Sequence, residues 1–260
     1  MSPRIGLQLF GLRNYQDFEA GLRRAAEIGY NFVEPFGWKP VVPTTGHFDL
    51  AQKYGMRCYS AHLLENQTWG DSAVRDSLLD RLVEHEARAW TFPGLGGDDE
   101  ASICAIGEQV EDFYQEFLKP RGLGVEYHNH DSDMLPSHGG RAKLDILLEV
   151  APSLTWQPDV GNFYLAGMTD TLQTLEAYRD RISSLHVKDI RSDYKERTHP
   201  CSALATGDGV VPLAPALVFC QQELGITDFI IEQEGFANNE GCDDMMTRSL
   251  AYLKEVLGSD

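Results

Sequence analysis

The stretch GVEYHNHDSD, residues 124–133, reads as a β-strand that ends in a polar loop. Glu126, His128 and His130 share parity, so on an extended strand they point to one side while Tyr127 and Asn129 point to the other. A strand buried for structural reasons alone should carry apolar residues on such a face, because an ionised group taken out of water is costly unless paired or ligated. This face therefore either meets solvent or holds something.

Similar short β-rich runs recur on both sides of it: RIGLQLF (4–10), NFVEPF (31–36), MRCYSAHL (56–63), ARAWTFP (87–93), GLGVEYHNH (122–130), SLTWQPDV (153–160), RISSLHVKD (181–189) and DFIIEQE (228–234). Helical patterns lie between them. In DFEAGLRRAAEIG (17–29), Phe18, Leu22, Ala25, Ala26 and Ile28 mark one face and Gly29 is a stop; further helices are expected over 48–54, 71–86, 99–118, 140–150, 170–178, 213–224 and 243–257. Eight alternating β and α units, with no linker, repeat or low-complexity segment, predict one α/β domain over residues 1–260 folded as a (β/α)8 barrel. The competing doubly wound sheet lacks its Gly-x-Gly-x-x-Gly turn after the first strand.

Apolar and aromatic residues make up 42% of the chain, enough for a large core, and the net charge of −18 disfavours nucleic acid, whose binding depends on Lys and Arg. The five cysteines include no Cys-x-x-Cys pair, which fits reduced thiols in a cytoplasmic protein. The opening MSPRIGLQLFGLRN, its apolar run broken by Gln8, reads as a strand rather than a signal peptide. No apolar run approaches the ~20 residues of a membrane helix, so no membrane partner is expected. The sequon NQT at 66–68 is read as chance in a protein that is not secreted.

In a closed barrel, reactive groups gather at the carboxyl ends of the strands. Strand five ends in Glu126, His128 and His130, strand six in Gln157 and Asp159, strand seven carries His186 and Lys188, and strand eight carries Glu232 and Glu234. Each has an ordinary structural reading: Asp159 as a turn or cap residue, His186 as a satisfied core histidine, Glu232 as the partner of Lys188. Together they converge on one point, where a cation would relieve the repulsion between carboxylates.

VEYHNHD (125–131), PDVGNFYLAG (158–167), LHVKD (185–189), GDGVV (207–211) and IIEQE (230–234) resemble, in order and across essentially the whole barrel, the sugar phosphate isomerase/epimerase superfamily of xylose isomerase-like TIM barrels. The resemblance implies a divalent metal held by a Glu on strand five, an Asp on strand six, a His on strand seven and a Glu on strand eight. Here those positions fall on Glu126, Asp159, His186 and Glu232. Many relatives with the YHNH signature lack a Glu before it, so His128 is the alternative ligand. Residues two apart on a strand are separated by ~6.6 Å, whereas metal–ligand bonds are ~2.0–2.2 Å, so one of the two is expected to bind. The Glu-x-x-Asn spacing of several relatives favours Glu126 and assigns His128 to the substrate.

Such a site suits Mn²⁺, with Mg²⁺, Zn²⁺ or Co²⁺ as alternatives. The activity implied is an isomerase or epimerase of a sugar or keto-sugar, with Glu126 and Glu232 exchanging protons through an enediolate. His62, His128, His130, Lys188 and Glu234 are then expected to hold the substrate, with Phe10, Phe36 and Trp38 as candidate walls. The long segment 190–210 could close over the site, and with no phosphate cradle evident a non-phosphorylated sugar is expected. A homo-oligomer is expected from relatives. The rival reading is a metal-dependent lyase or hydrolase acting on a keto-sugar or 3-keto-glycoside; a non-catalytic sugar-binding barrel would show no proton exchange. An apurinic endonuclease, which shares the superfamily fold, is disfavoured by the acidic charge.

Overall fold

β1 (Arg4–Gln8) pairs in parallel with both β2 (Phe32–Glu34) and β8 (Asp228–Ile231), so the first strand lies beside the last. The computed structural model describes residues 2–13, 15–38, 42–136, 139–196, 201–235 and 238–259. β3 is interrupted at Tyr59: Arg57–Cys58 pairs with β2, and Ser60–His62 pairs with β4 (Ala89–Phe92). β4 continues to β5 (Gly124–His128) and β6 (Leu154–Gln157), while β7 (Leu185–Val187) pairs with β8.

Two seams join the resulting arcs into a ring. At the first, an isolated parallel bridge links Phe36 to His62, with His62 N–H donating to Pro35 O and Gly37 N–H to His62 O, both at 2.8 Å. At the second, bridges link Trp156 to Ile182 and Asp159 to His186, and His186 N–H donates to Pro158 O at 2.8 Å. The molecule has the architecture of a parallel (β/α)8 barrel, as the alternating pattern predicts. Both seams run through residues singled out from sequence.

The strand faces divide the chemistry. Leu7, Val33, Trp90, Val125, Tyr127, Trp156, Val187 and Phe229 are buried in the apolar core. The opposite parity carries Gln8, Glu34, Ser60, Thr91, Glu126, His128, Gln157 and His186, all buried. Barrel interiors are usually filled with branched aliphatics; here the upper interior is a hydrogen-bonded polar network.

The helices follow the expected order, with shifted ends. α1 (Phe18–Ile28) is capped by Asp17 and stops at Gly29, whose φ of 116° belongs to the left-handed region that glycine tolerates. α2 (Thr44–Lys53), α3 (Glu65–Thr68), α4 (Ser72–Glu84), α5 (Glu100–Phe113) and α6 (Lys143–Val150) follow. α7 (Val160–Leu165), α8 (Thr171–Ala177), α9 (Leu213–Gln222) and α10 (Asn239–Leu257) complete the chain. α10 starts four residues before the expected 243, because Asn238 accepts from Gly241 N–H and caps an earlier turn. α3 and α7 are additions to the expected set, since so short a helix shows no period. Among the described residues, no helix is long and apolar enough to cross a membrane.

Candidate functional site

β5 ends at His128, and Asn129 fixes the geometry of the turn beyond it. The Asn129 side-chain oxygen accepts from Trp156 Nε1 at 3.0 Å and from Asp159 N–H at 2.9 Å, while its backbone oxygen accepts from Asn162 Nδ2 at 2.9 Å. These bonds hold the start of α7 against the end of β5. Asp159 is the N-cap of α7, its Oδ1 accepting from Asn162 N–H at 2.9 Å. The cap leaves Oδ2 buried without a hydrogen-bond partner; the Lys188 ammonium lies 3.1 Å away but outside hydrogen-bond alignment. Asp159 thus both caps a helix and presents an oxygen to the site.

Ligand-capable atoms of His128, Asp159, His186 and Glu232 all lie within 4.8 Å of one another, and all four residues are buried. His128 Nε2 is 3.8 Å from both Asp159 Oδ2 and Glu232 Oε2. His186 Nδ1 stands 2.9 Å from Glu232 Oε2, and Lys188 Nζ 3.1 Å from Glu232 Oε1. Two imidazoles and two carboxylates converging from four successive strands, one oxygen lacking a hydrogen bond, are a donor set that fits a divalent cation. A second group of three rings, His62, His128 and His186, also brings its nitrogens within 4.8 Å.

Glu126, expected as the strand-five ligand and as a base, is elsewhere. Its carboxylate accepts from Thr91 Oγ1 at 2.9 Å, Gln157 Nε2 and Tyr59 OH at 3.3 Å, and Ser184 Oγ at 3.4 Å. It belongs to the polar interior, does not line the cavity, and is not among the converging ligand atoms. The cause is the pleat: two residues along β5 displace a side chain by ~6.6 Å along the barrel axis. His128 holds the upper position and Glu126 the lower one.

Glu34, at the end of β2, lies beneath the site in contact with two of its histidines, and the sequence reading misses it. Gln8 Nε2 donates to its Oε2 at 2.7 Å, His186 Nε2 stands 2.6 Å and His62 Nε2 3.0 Å from the same oxygen, and Gln157 Nε2 and Ser60 Oγ donate to Oε1. The signal is present in FVEPF, where an acid stands at the carboxyl end of a strand, and in the Gln8 that breaks the first apolar run.

Electrostatics follow from this packing. Burial alone would raise the Glu34 carboxyl, but the His62 and His186 rings hold it well below its ordinary range. Burial would depress the His186 ring, yet the Glu34 and Glu232 carboxylates lift it to about 10. Desolvation would likewise lower Lys188, and Asp159, Glu232 and Glu234 outweigh it to push the ammonium up. Glu232 is held well below the carboxylate range, the positive groups around it outweighing its burial. Burial, reinforced by His186 and His62, pushes the His128 ring well down. Glu126 is raised by burial and by the charge of Glu34.

Above these groups opens a cavity of about 350 Å³, lined on its polar side by His62, His128, His130, Lys188, Glu232 and Glu234 and walled by Phe10, Phe36 and Trp38. Glu234, which could have paired with Lys188 alone, is bound by Arg13 at 2.5 Å, and Arg13 also stacks 3.7 Å over the Phe10 ring. The segment expected to close over the site is tied down at both ends: Ile190, Gly207, Gly209 and Val211 N–H all donate to the Asp189 carboxylate. Residues 197–200 of that segment lie outside the described residues.

No protein-family model and no curated protein matches the chain. Among solved structures it is similar to a sugar phosphate isomerase/epimerase from Parabacteroides distasonis, with a TM-score of 0.74 and 19% identity over 98% of this chain and 96% of that one. It is also similar to the D-psicose 3-epimerase of Clostridium cellulolyticum, solved with D-tagatose, at a TM-score of 0.66 and 13% identity over 98% and 99%. The IolI protein, solved with a zinc atom, gives a TM-score of 0.66 and 11% identity over 98% of each chain. At these identities the likeness establishes the xylose isomerase-like barrel fold.

Proposed function

We propose that the protein is a divalent-metal-dependent isomerase or epimerase of a sugar or keto-sugar that moves a proton next to a carbonyl through an enediolate. The observation that carries this reading is the convergence of His128, Asp159, His186 and Glu232 at the carboxyl end of the barrel, where His128 and Glu232 line a cavity of about 350 Å³. In the proposed ligand set His128 replaces Glu126. Two imidazoles and two carboxylates are a softer set than three carboxylates and one imidazole, which moves the preference away from Mg²⁺ towards Zn²⁺, Co²⁺ or Mn²⁺. When bound, such an ion polarises a carbonyl and its neighbouring hydroxyl and makes the adjacent C–H acidic.

The chain's own groups do the rest. Glu232 is the base, accepting the proton on Oε1, the oxygen that faces Lys188. The Lys188 ammonium, buried and held protonated by its carboxylate neighbours, stabilises negative charge on the substrate oxygen. His62, His130 and Glu234 hold hydroxyl groups, Glu234 being oriented for this by Arg13. The aromatic wall of Phe10, Phe36 and Trp38 covers the apolar face of a sugar ring. The solved neighbours that act on or are named for sugars support the reading by analogy of fold.

The test is metal analysis coupled to a screen of ketoses and keto-glycosides in deuterated water. Isomerisation or epimerisation predicts deuterium at the exchanged carbon and conserved mass otherwise. Loss of water or of an aglycone would replace the reading by the lyase or hydrolase one.

A further inference from the structure

We infer that Glu34 is a positioning residue, which holds His186 as the Nε2–H tautomer and so commits Nδ1 to the metal; this rests on the metal-site reading above. An imidazole that binds a cation through one nitrogen keeps its proton on the other, and the partner of that N–H decides which nitrogen is left to coordinate. His186 Nε2 is 2.6 Å from Glu34 Oε2, whereas Nδ1 faces Oε2 of Glu232, one of the converging residues, at 2.9 Å. Glu34 can hold the ring because it is held itself. It is fully buried, and its two oxygens take contacts from Gln8, Ser60, His62 and Gln157 besides His186. Such a ring of donors fixes a carboxylate in both position and charge, and leaves it no freedom to coordinate an ion itself.

His62 is drawn into the same arrangement. Its Nε2 is 3.0 Å from Glu34 Oε2 and 2.9 Å from Gln157 Oε1, and its ring stacks on His186 at 5.0 Å. With Nε2 engaged below, His62 supports His186 from the side. The three-histidine cluster is therefore read as one ligand imidazole from each of β5 and β7, with His62 as their brace.

The experiment titrates the whole protein with Co²⁺ as probe, following the visible absorption of the bound ion, for the wild type and Glu34→Gln. Glutamine keeps the size but turns an acceptor into a donor facing His186. The expected result is Co²⁺ affinity reduced ~10–100-fold, the usual cost of losing such a partner, with an altered absorption spectrum. An unchanged affinity and spectrum in a folded variant would overturn the inference. Absence of Co²⁺ binding by the wild type would instead remove the metal-site reading itself, and the inference with it. Should the variant fail to fold, proton–nitrogen correlation spectra of the Zn²⁺-loaded wild type decide: His186 is expected as Nε2–H with Nδ1 bound, and binding through Nε2 would contradict the role of Glu34.

Discussion

His128 and Glu126 differ by two positions and by everything that surrounds them. Both share strand parity, so sequence could place them on one face but could not say how far up the barrel each stands. That height is set by the register of β5 with its neighbours, Glu126 opposite Thr91 and Thr155, His128 opposite Gln157. Replacing Glu232 with Gln is expected to lower turnover by ~10² or more, the usual contribution of a general base, while some metal is retained through the amide oxygen; steady-state rates with metal content measured on the same sample check this. A different residue governs acid stability. His47 is buried between Phe18 and Phe36, neither ring nitrogen having a hydrogen-bond partner, and burial pushes its pKa down from 6.5 to about 4. Its folded-state pKa is thus below the unfolded value: it costs nothing above pH 6.5, and stability falls as the pH drops from there towards 4, by up to about 3 kcal/mol. Urea denaturation between pH 7 and 4 should show a shallower acid decline for His47→Met than for the wild type.

At the scale of elements, the turn DVGN shows what a sequence motif can hide. Asp159 caps α7, and Gly161 allows the helix to approach β7: a Cβ there would sit 2.8 Å from Lys188 Cβ, Cγ and backbone oxygen. Gly161→Ala is therefore expected to destabilise the protein by ~1–3 kcal/mol, the cost of overpacking, and to displace Lys188, so that denaturation midpoint and turnover fall together. The β and α alternation, the barrel and the convergence of strands five to eight on one mouth were legible because patterning and the strand-end rule are local. Glu34 was not, because a single acid in a three-residue strand is noise until the ring closes and sets it beside His62 and His186. GDGVV was legible as a motif but not in its role: its backbone N–H groups bind Asp189, the chain's own carboxylate, which only tertiary folding brings to them.

Across the whole molecule, closure and chemistry share the same residues. The β6–β7 seam is held by two isolated bridges, one of them Asp159 to His186, and both of those residues belong to the converging ligand set. A bound cation would clip that seam as well as serve the reaction. Saturation at ~100 times Kd is expected to stabilise the protein by about 2.7 kcal/mol, and hydrogen exchange of the Ser183 and His186 amides, which donate across the seam to Trp156 and Pro158, should slow on adding Mn²⁺ and recover with chelator. The central claim, that the strand-five ligand is the upper histidine and not the lower glutamate, is tested most directly by Mn²⁺ content and affinity in three proteins: wild type, His128→Asn and Glu126→Gln. The account predicts one tightly bound ion per chain in the wild type and in Glu126→Gln, and affinity lowered ~10²-fold or more in His128→Asn, at or beyond the ~10–100-fold cost of losing an outer-shell partner. Metal retained by His128→Asn and lost by a folded Glu126→Gln would contradict it.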